Sequence, residues 1–277
     1  MSVLIFLIIL SVLVIVHELG HFGVAKYFGI RVDEFGLGYP PKAKKLFHWK
    51  GTDFTLNWLP FGGFVKIFGE NYIEGPDEIA STNSSDVSSG KHGQSLLQQS
   101  RPVQASVLVA GVVMNFLFAW LLLSAIFFSG VSAPLSAARP EGLSAVQSVS
   151  AGFKASVKIT TDTALALGTL VSQAVVGHAD LSELAGPVGI VGMVGDVRAL
   201  GIGYLLTFTA LISLNLCIVN LLPFPALDGG RLLLVGIESL TRRRVPPRIF
   251  NTLNTVGFAL LILLMILITI HDVSNIL

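Results

Sequence analysis

Four long apolar stretches, separated by polar and charged connections, frame this 277-residue chain. They run from about Val3 to Phe28, Val103 to Val131, Ile202 to Leu222 and Phe250 to Ile270. Each reaches the ~20 mostly apolar residues that a helix needs to cross a bilayer. Between Val3 and Val16 nothing is ionisable, and Ser11 is the only polar side chain. The pattern predicts an α-helical integral membrane protein with about four transmembrane helices. A cleaved signal peptide does not fit the first stretch, which has no basic segment before it and no clear small-residue cleavage site after it.

The connections differ in character. Residues 30–72 alternate in places, as in Asp53-Phe54-Thr55-Leu56-Asn57-Trp58-Leu59, and continue through Pro60 into Gly62-Gly63-Phe64-Val65-Lys66. This predicts a β-hairpin region with its turn at Gly62-Gly63, and its many aromatics suggest that it dips into the membrane interface. Residues 74–100 are rich in Ser, Asn, Asp, Gly and Gln and read as flexible. The connection over 131–200 opens with a Pro/Ser/Ala/Gly segment to Ser150. An amphipathic helix is expected from Ala151 to Val176, and Gly186-Pro187-Val188-Gly189 marks a break before the third span. No part of this connection alternates enough to predict a separate extracellular domain.

Composition agrees with the apolar pattern. Only 13% of residues are charged and 52% are hydrophobic, against about 25% charged in soluble domains, and the mean hydropathy is +0.75. A net charge of +1 gives no footprint for nucleic acid, and a single cysteine, Cys217, rules out an intrachain disulfide framework. Lys and Arg are unevenly placed. Nine fall between the first two spans (Lys26, Arg31, Lys42, Lys44, Lys45, Lys50, Lys66, Lys91, Arg101) and five between the last two (Arg231, Arg242, Arg243, Arg244, Arg248). Only Arg139, Lys154, Lys158 and Arg198 lie in the middle connection. By the positive-inside rule the first and last connections are cytoplasmic, and the middle connection and both termini are outside.

The chemistry enters where the first apolar run ends, at His17-Glu18-Leu19-Gly20-His21. Ionisable groups at membrane depth are costly unless paired or bound, so they are functional candidates by default. On a helix, H-E-x-x-H puts two histidines on one face, able to chelate one zinc, with the glutamate beside the metal's water. A second constellation closes the third span: Asn220-Leu221-Leu222-Pro223-Phe224-Pro225-Ala226-Leu227-Asp228-Gly229-Gly230-Arg231. The charge bias puts Asp228 at the same membrane depth as His17 and His21. Asp-Gly is also a plain turn sequence, but a catalytic zinc wants a third protein ligand and two histidines with a carboxylate are an established set. Asn220 admits two readings, a bond to a neighbouring helix or a hold on substrate backbone. His48, His92, His178 and His271 read as surface or loop residues.

Together, the H-E-x-x-H run, the Gly62-Gly63-Phe64-Val65-Lys66 loop, Gly186-Pro187-Val188-Gly189 and Asn220…Pro223…Pro225…Leu227-Asp228-Gly229 resemble the site-2 protease family (peptidase M50), in the family's order and over nearly the whole chain. The likeness is to the bacterial regulator-of-sigma-E-protease type of intramembrane zinc metalloprotease. It implies that His17, His21 and Asp228 bind zinc, that Glu18 is the catalytic base, and that Asn220 holds an unwound substrate. It also implies that Gly63 and Phe64, in the membrane-associated hairpin, and Pro223 and Pro225 lie along the substrate's path. The implied substrates are single-pass membrane proteins, such as anti-sigma factors or signal-peptide remnants, cut within the bacterial inner membrane. Members of this type usually carry PDZ domains between the second and third spans, and the connection here is too short for one. A membrane zinc transporter and an inactive scaffold are the rival readings. The first lacks a mirrored second half, and the second does not account for a complete set of polar site residues.

Overall fold

The computed structural model describes residues 1–70, 94–134, 142–176 and 186–276. In chain order these form α1 (Ser2–Tyr27), β1 (Val32–Trp49), β2 (Thr52–Ile67), a 3-10 turn (Leu96–Gln98), α2 (Arg101–Ser129), α3 (Ala145–Val175), α4 (Pro187–Leu200), α5 (Ile202–Leu221), α6 (Asp228–Thr241) and α7 (Pro247–Ile276). Four of the helices, α1, α2, α5 and α7, are long and apolar enough to cross a membrane. Twenty residues of helix span about 30 Å, the thickness of a hydrocarbon core.

Two compact units partition the chain, one comprising Leu10–Met114 with Asn220–Phe258. Its core is Phe22, Ala25, Ile30, Val32, Phe35, Val65, Ile67, Leu96 and Val107, so the C-terminal half of α1 and the start of α2 pack on the sheet. Phe22 meets Phe35 and Phe54 edge to face, at centroid distances of 5.6 and 5.7 Å. The sheet is β1 paired antiparallel with β2, and each strand is used twice along its length. Lys42–Trp49 pair with Thr52–Asn57, while residues 34–37 are matched both to 53–56 and to 63–66.

The hairpin turn is not at Gly62-Gly63 but at Lys50-Gly51, where both residues take positive φ (46° and 78°), the geometry that suits a two-residue hairpin loop. Gly62 and Gly63 lie inside β2, against Val14 and Ile15 of α1. Ser11 fixes this approach: its Oγ donates to the Pro60 carbonyl (3.0 Å) and accepts from the Gly62 N–H (3.2 Å). Of the segment expected to be flexible, residues 94–100 are ordered by the Ile30–Gln94 bridge and the 3-10 turn; the rest, 74–93, lies outside the described residues.

The other unit comprises Met1–Ile9, Asn115–Val219 and Ala259–Leu277. Ala119, Leu123 and Ile126 of α2 pack with Ala210 and Leu214 of α5, and Ala155 and Ile159 of α3 lie against them. Trp120 of α2 stacks edge-on with Phe153 and donates its indole N–H to the Val149 carbonyl (2.9 Å). The helix in the middle connection thus begins at Ala145, earlier than the sequence pattern suggests, because Trp120 and its neighbours give its first turns something to pack on. The Gly186-Pro187 break opens a helix of its own, α4, with Pro187 at the first position, where its missing N–H is harmless. Asp272 of α7 accepts from the Gly186 and Gly189 N–H groups at 3.2 and 2.8 Å, capping that helix. Among its described residues, the connection contains no strand.

Candidate metal centre

His17 and His21 lie one turn apart on the same face of α1 and are buried, 8% and 7% exposed. Asp228 is the first residue of α6, where the N-terminal end of the helix dipole favours a carboxylate. The structure brings the three together. Asp228 Oδ2 is 2.9 Å from His17 Nε2 and 3.3 Å from His21 Nε2, and the two Nε2 atoms are 3.1 Å apart. Three donors on one tetrahedral ion, each bonded at about 2.0–2.2 Å, sit roughly 3.3–3.5 Å from one another. The observed triangle is therefore close to the size that an ion of this kind requires.

The proton inventory points the same way. His21 Nδ1 is 2.7 Å from the Val107 carbonyl of α2; a carbonyl can only accept, so Nδ1 carries the hydrogen. The lone pair of the neutral ring is then on Nε2, facing His17 and Asp228. Two imidazole nitrogens and a carboxylate oxygen at such separations are a better match to one cation than to one another.

Close approach of α2 makes this possible. A Cβ on Gly111 would lie 2.5 Å from His21 Nε2 and 2.6 Å from His17 Cε1. Any side chain there would occupy the space of the imidazoles. Nothing in the sequence pattern singled out Gly111 or the Val107 carbonyl. A glycine within a spanning helix is a signal for close packing, but it does not say against what.

Glu18, the next residue along α1, is partly buried, and the Val65 backbone N–H of β2 reaches its carboxylate. Tyr39 of β1 is also within its field: burial first, and then the Glu18 charge, push the phenol above its ordinary value. Gly63 and Phe64 precede that N–H in β2, with Phe64 packed near Tyr39 at a centroid distance of 6.4 Å. Asn220 sits in the last turn of α5, and its side chain is not one of the three converging donors.

Pro223 and Pro225 lie in the short loop from α5 to α6. Within it the Phe224 N–H donates to Leu222 O (2.7 Å) and the Leu227 N–H to Phe224 O (3.2 Å). Ala226 takes a left-handed conformation with φ +74°, which costs an L-residue with a side chain about 1–2 kcal/mol. The helix that follows is docked by two ion pairs. Arg231 bonds both the carboxylate and the backbone carbonyl of Glu70, and Glu238, 5% exposed, accepts from Arg101 (2.6 Å) and from the Val245 N–H (2.7 Å).

Known proteins are similar to this chain in sequence. The model of peptidase family M50 matches residues 5–264. A Clostridium perfringens protein provisionally named a zinc metalloprotease is 30% identical over 99% of this chain and 98% of its own length. A similarly named protein of Clostridium acetobutylicum is 27% identical over 98% and 97%. The zinc metalloprotease RasP of Geobacillus kaustophilus is 39% identical over 50% of this chain and 32% of its own. The Clostridium perfringens alignment runs over 354 positions against 277 residues here, so that relative has segments without a counterpart in this chain.

Proposed function

This chain belongs to peptidase family M50, and on that premise we propose that it is a zinc-dependent intramembrane endopeptidase of the site-2 protease type. The observation that carries the proposal is the convergence of His17 Nε2, His21 Nε2 and Asp228 Oδ2 within 3.3 Å of one another, with Glu18 on the adjoining helical position.

Zinc, when held by His17, His21 and Asp228, would polarise the scissile carbonyl and acidify water. The protein's own residues do the rest. Glu18 takes the proton of the attacking water and passes it to the leaving amine, with the Val65 N–H of β2 close to that carboxylate. A transmembrane substrate hides its carbonyls in helical hydrogen bonds, so a segment must be unwound before attack. An extended segment can add to the edge of β2 at Gly63 and Phe64, while Asn220 and the Pro223–Pro225 loop hold it from the other side. The clustering of Lys and Arg in the first and last connections supports a position of this chemistry near the cytoplasmic face of a bacterial inner membrane. Substrates are single-pass membrane proteins, of which anti-sigma factors and signal-peptide remnants are the expected kinds.

In a purified Glu18→Gln protein, zinc content should match the wild type while cleavage of a reconstituted transmembrane substrate falls by at least a thousandfold. Retained proteolysis would overturn the assignment, and zinc flux into proteoliposomes surviving the substitution would indicate a transporter instead.

A further inference from the structure

The loop that delivers Asp228 does not satisfy itself. Pro223 and Pro225 have no N–H, and the Phe224 and Leu227 N–H groups are bonded within the loop. The Ala226 N–H finds its acceptor outside, in the side chain of Asn254 on α7, whose Oδ1 is 3.2 Å away. Ala226 is also the residue with φ +74°, a conformation common for glycine and asparagine and rare for alanine. One turn further along α7, Gly257 is buried against the same loop: a Cβ there would lie 2.5 Å from Pro225 Cβ and 2.7 Å from its carbonyl oxygen. The helix therefore grips two successive residues, Pro225 by shape and Ala226 by a hydrogen bond, with only Leu227 between them and Asp228.

We propose that Asn254 is a positioning residue for the metal centre, holding Ala226 left-handed so that Asp228 starts α6 facing His17 and His21. The chain direction at residue 226 decides where residue 228 points, and Asn254 supplies the acceptor for the Ala226 amide. Asn254 touches neither metal nor substrate in this role and acts through the backbone. The inference rests on the reading of His17, His21 and Asp228 as the zinc site.

The test measures zinc affinity by competition with a chromogenic chelator, on the full-length protein in detergent. Four proteins are compared: wild type, Asn254→Leu, Ala226→Gly and the double variant. Outer-shell partners typically govern metal affinity by 10- to 100-fold, so Asn254→Leu should weaken zinc by at least about tenfold. Glycine takes positive φ without help, so Ala226→Gly should make the affinity nearly insensitive to Asn254, the double variant recovering most of the loss. A merely structural role predicts a lowered melting temperature with no such recovery. Unchanged affinity in Asn254→Leu, or a loss that Ala226→Gly does not repair, would overturn the inference. A wild type that holds no stoichiometric zinc would instead bring down the zinc reading itself. If leucine is not accommodated, Asn254→Ala removes the same acceptor.

Discussion

At the scale of single residues, the candidate metal centre divides into what side chains announce and what backbones do silently. The convergence of His17, His21 and Asp228 could be anticipated from the sequence because zinc chemistry restricts which side chains can serve and, on a helix, at what spacing. Their orientation could not be read. The carbonyl that fixes the His21 tautomer belongs to Val107, whose side chain carries no hint of it. The room for both rings comes from the absence of a side chain at Gly111. Gly111→Ala is accordingly a sharp probe. Its methyl group would overlap both imidazoles, and overpacking of this kind costs about 1–3 kcal/mol, taken directly from the ligand geometry. Zinc affinity should fall by at least about tenfold while the helical far-ultraviolet dichroism is retained. Wild-type affinity in this variant would mean that α2 stands farther from the rings than described.

Between elements, the loudest local signals were not always the ones that set the chain's path. Gly62-Gly63 looked like a turn because paired glycines between β-like runs usually are. The chain turns instead at Lys50-Gly51, and the glycine pair serves the packing of β2 on α1. Which role a glycine plays depends on a neighbour more than forty residues away in sequence, as Ser11 is from Pro60 and Gly62. Local reading has no access to that. The same holds for α6, which was legible as the place where Asp228 sits but not as a helix docked by ion pairs. Its docking makes a prediction at this scale. Arg231 bonds Glu70 with both side chains only partly exposed, 15% and 25%. Breaking a fully buried pair costs about 3–5 kcal/mol and an exposed one under about 1, so Arg231→Met should cost about 1–3 kcal/mol. Unfolding in mixed detergent micelles would measure it, and an unchanged midpoint would show that the pair contributes nothing to holding α6.

For the whole molecule, the length of the apolar stretches carried most of the fold. Four helices long and apolar enough to cross a membrane are found where the sequence pattern put the four stretches, because a bilayer demands continuous apolar length and tolerates few substitutes. The connection between α2 and α5 was harder to read, since a half-polar segment can be loop or surface helix until its packing partner is known. Here α2 supplies the partner for α3, and among the described residues the connection is helical, so the PDZ fold usual for the sigma-E-protease type is not built there. On the proposed function, the sidedness of the hairpin and of the connection between α2 and α5 is the next thing to test. Cys217 is the single cysteine, so Cys217→Ser gives a clean background for mapping it. His48, near the hairpin turn, and Lys154, on α3, are both exposed. Cysteines placed singly at these positions should react with a membrane-impermeant maleimide from opposite faces, His48→Cys from the cytoplasmic side of inverted vesicles and Lys154→Cys from outside intact cells. Labelling of both from one face would refute the orientation drawn from the lysines and arginines, and with it the assignment of the catalytic residues to the cytoplasmic half of the bilayer.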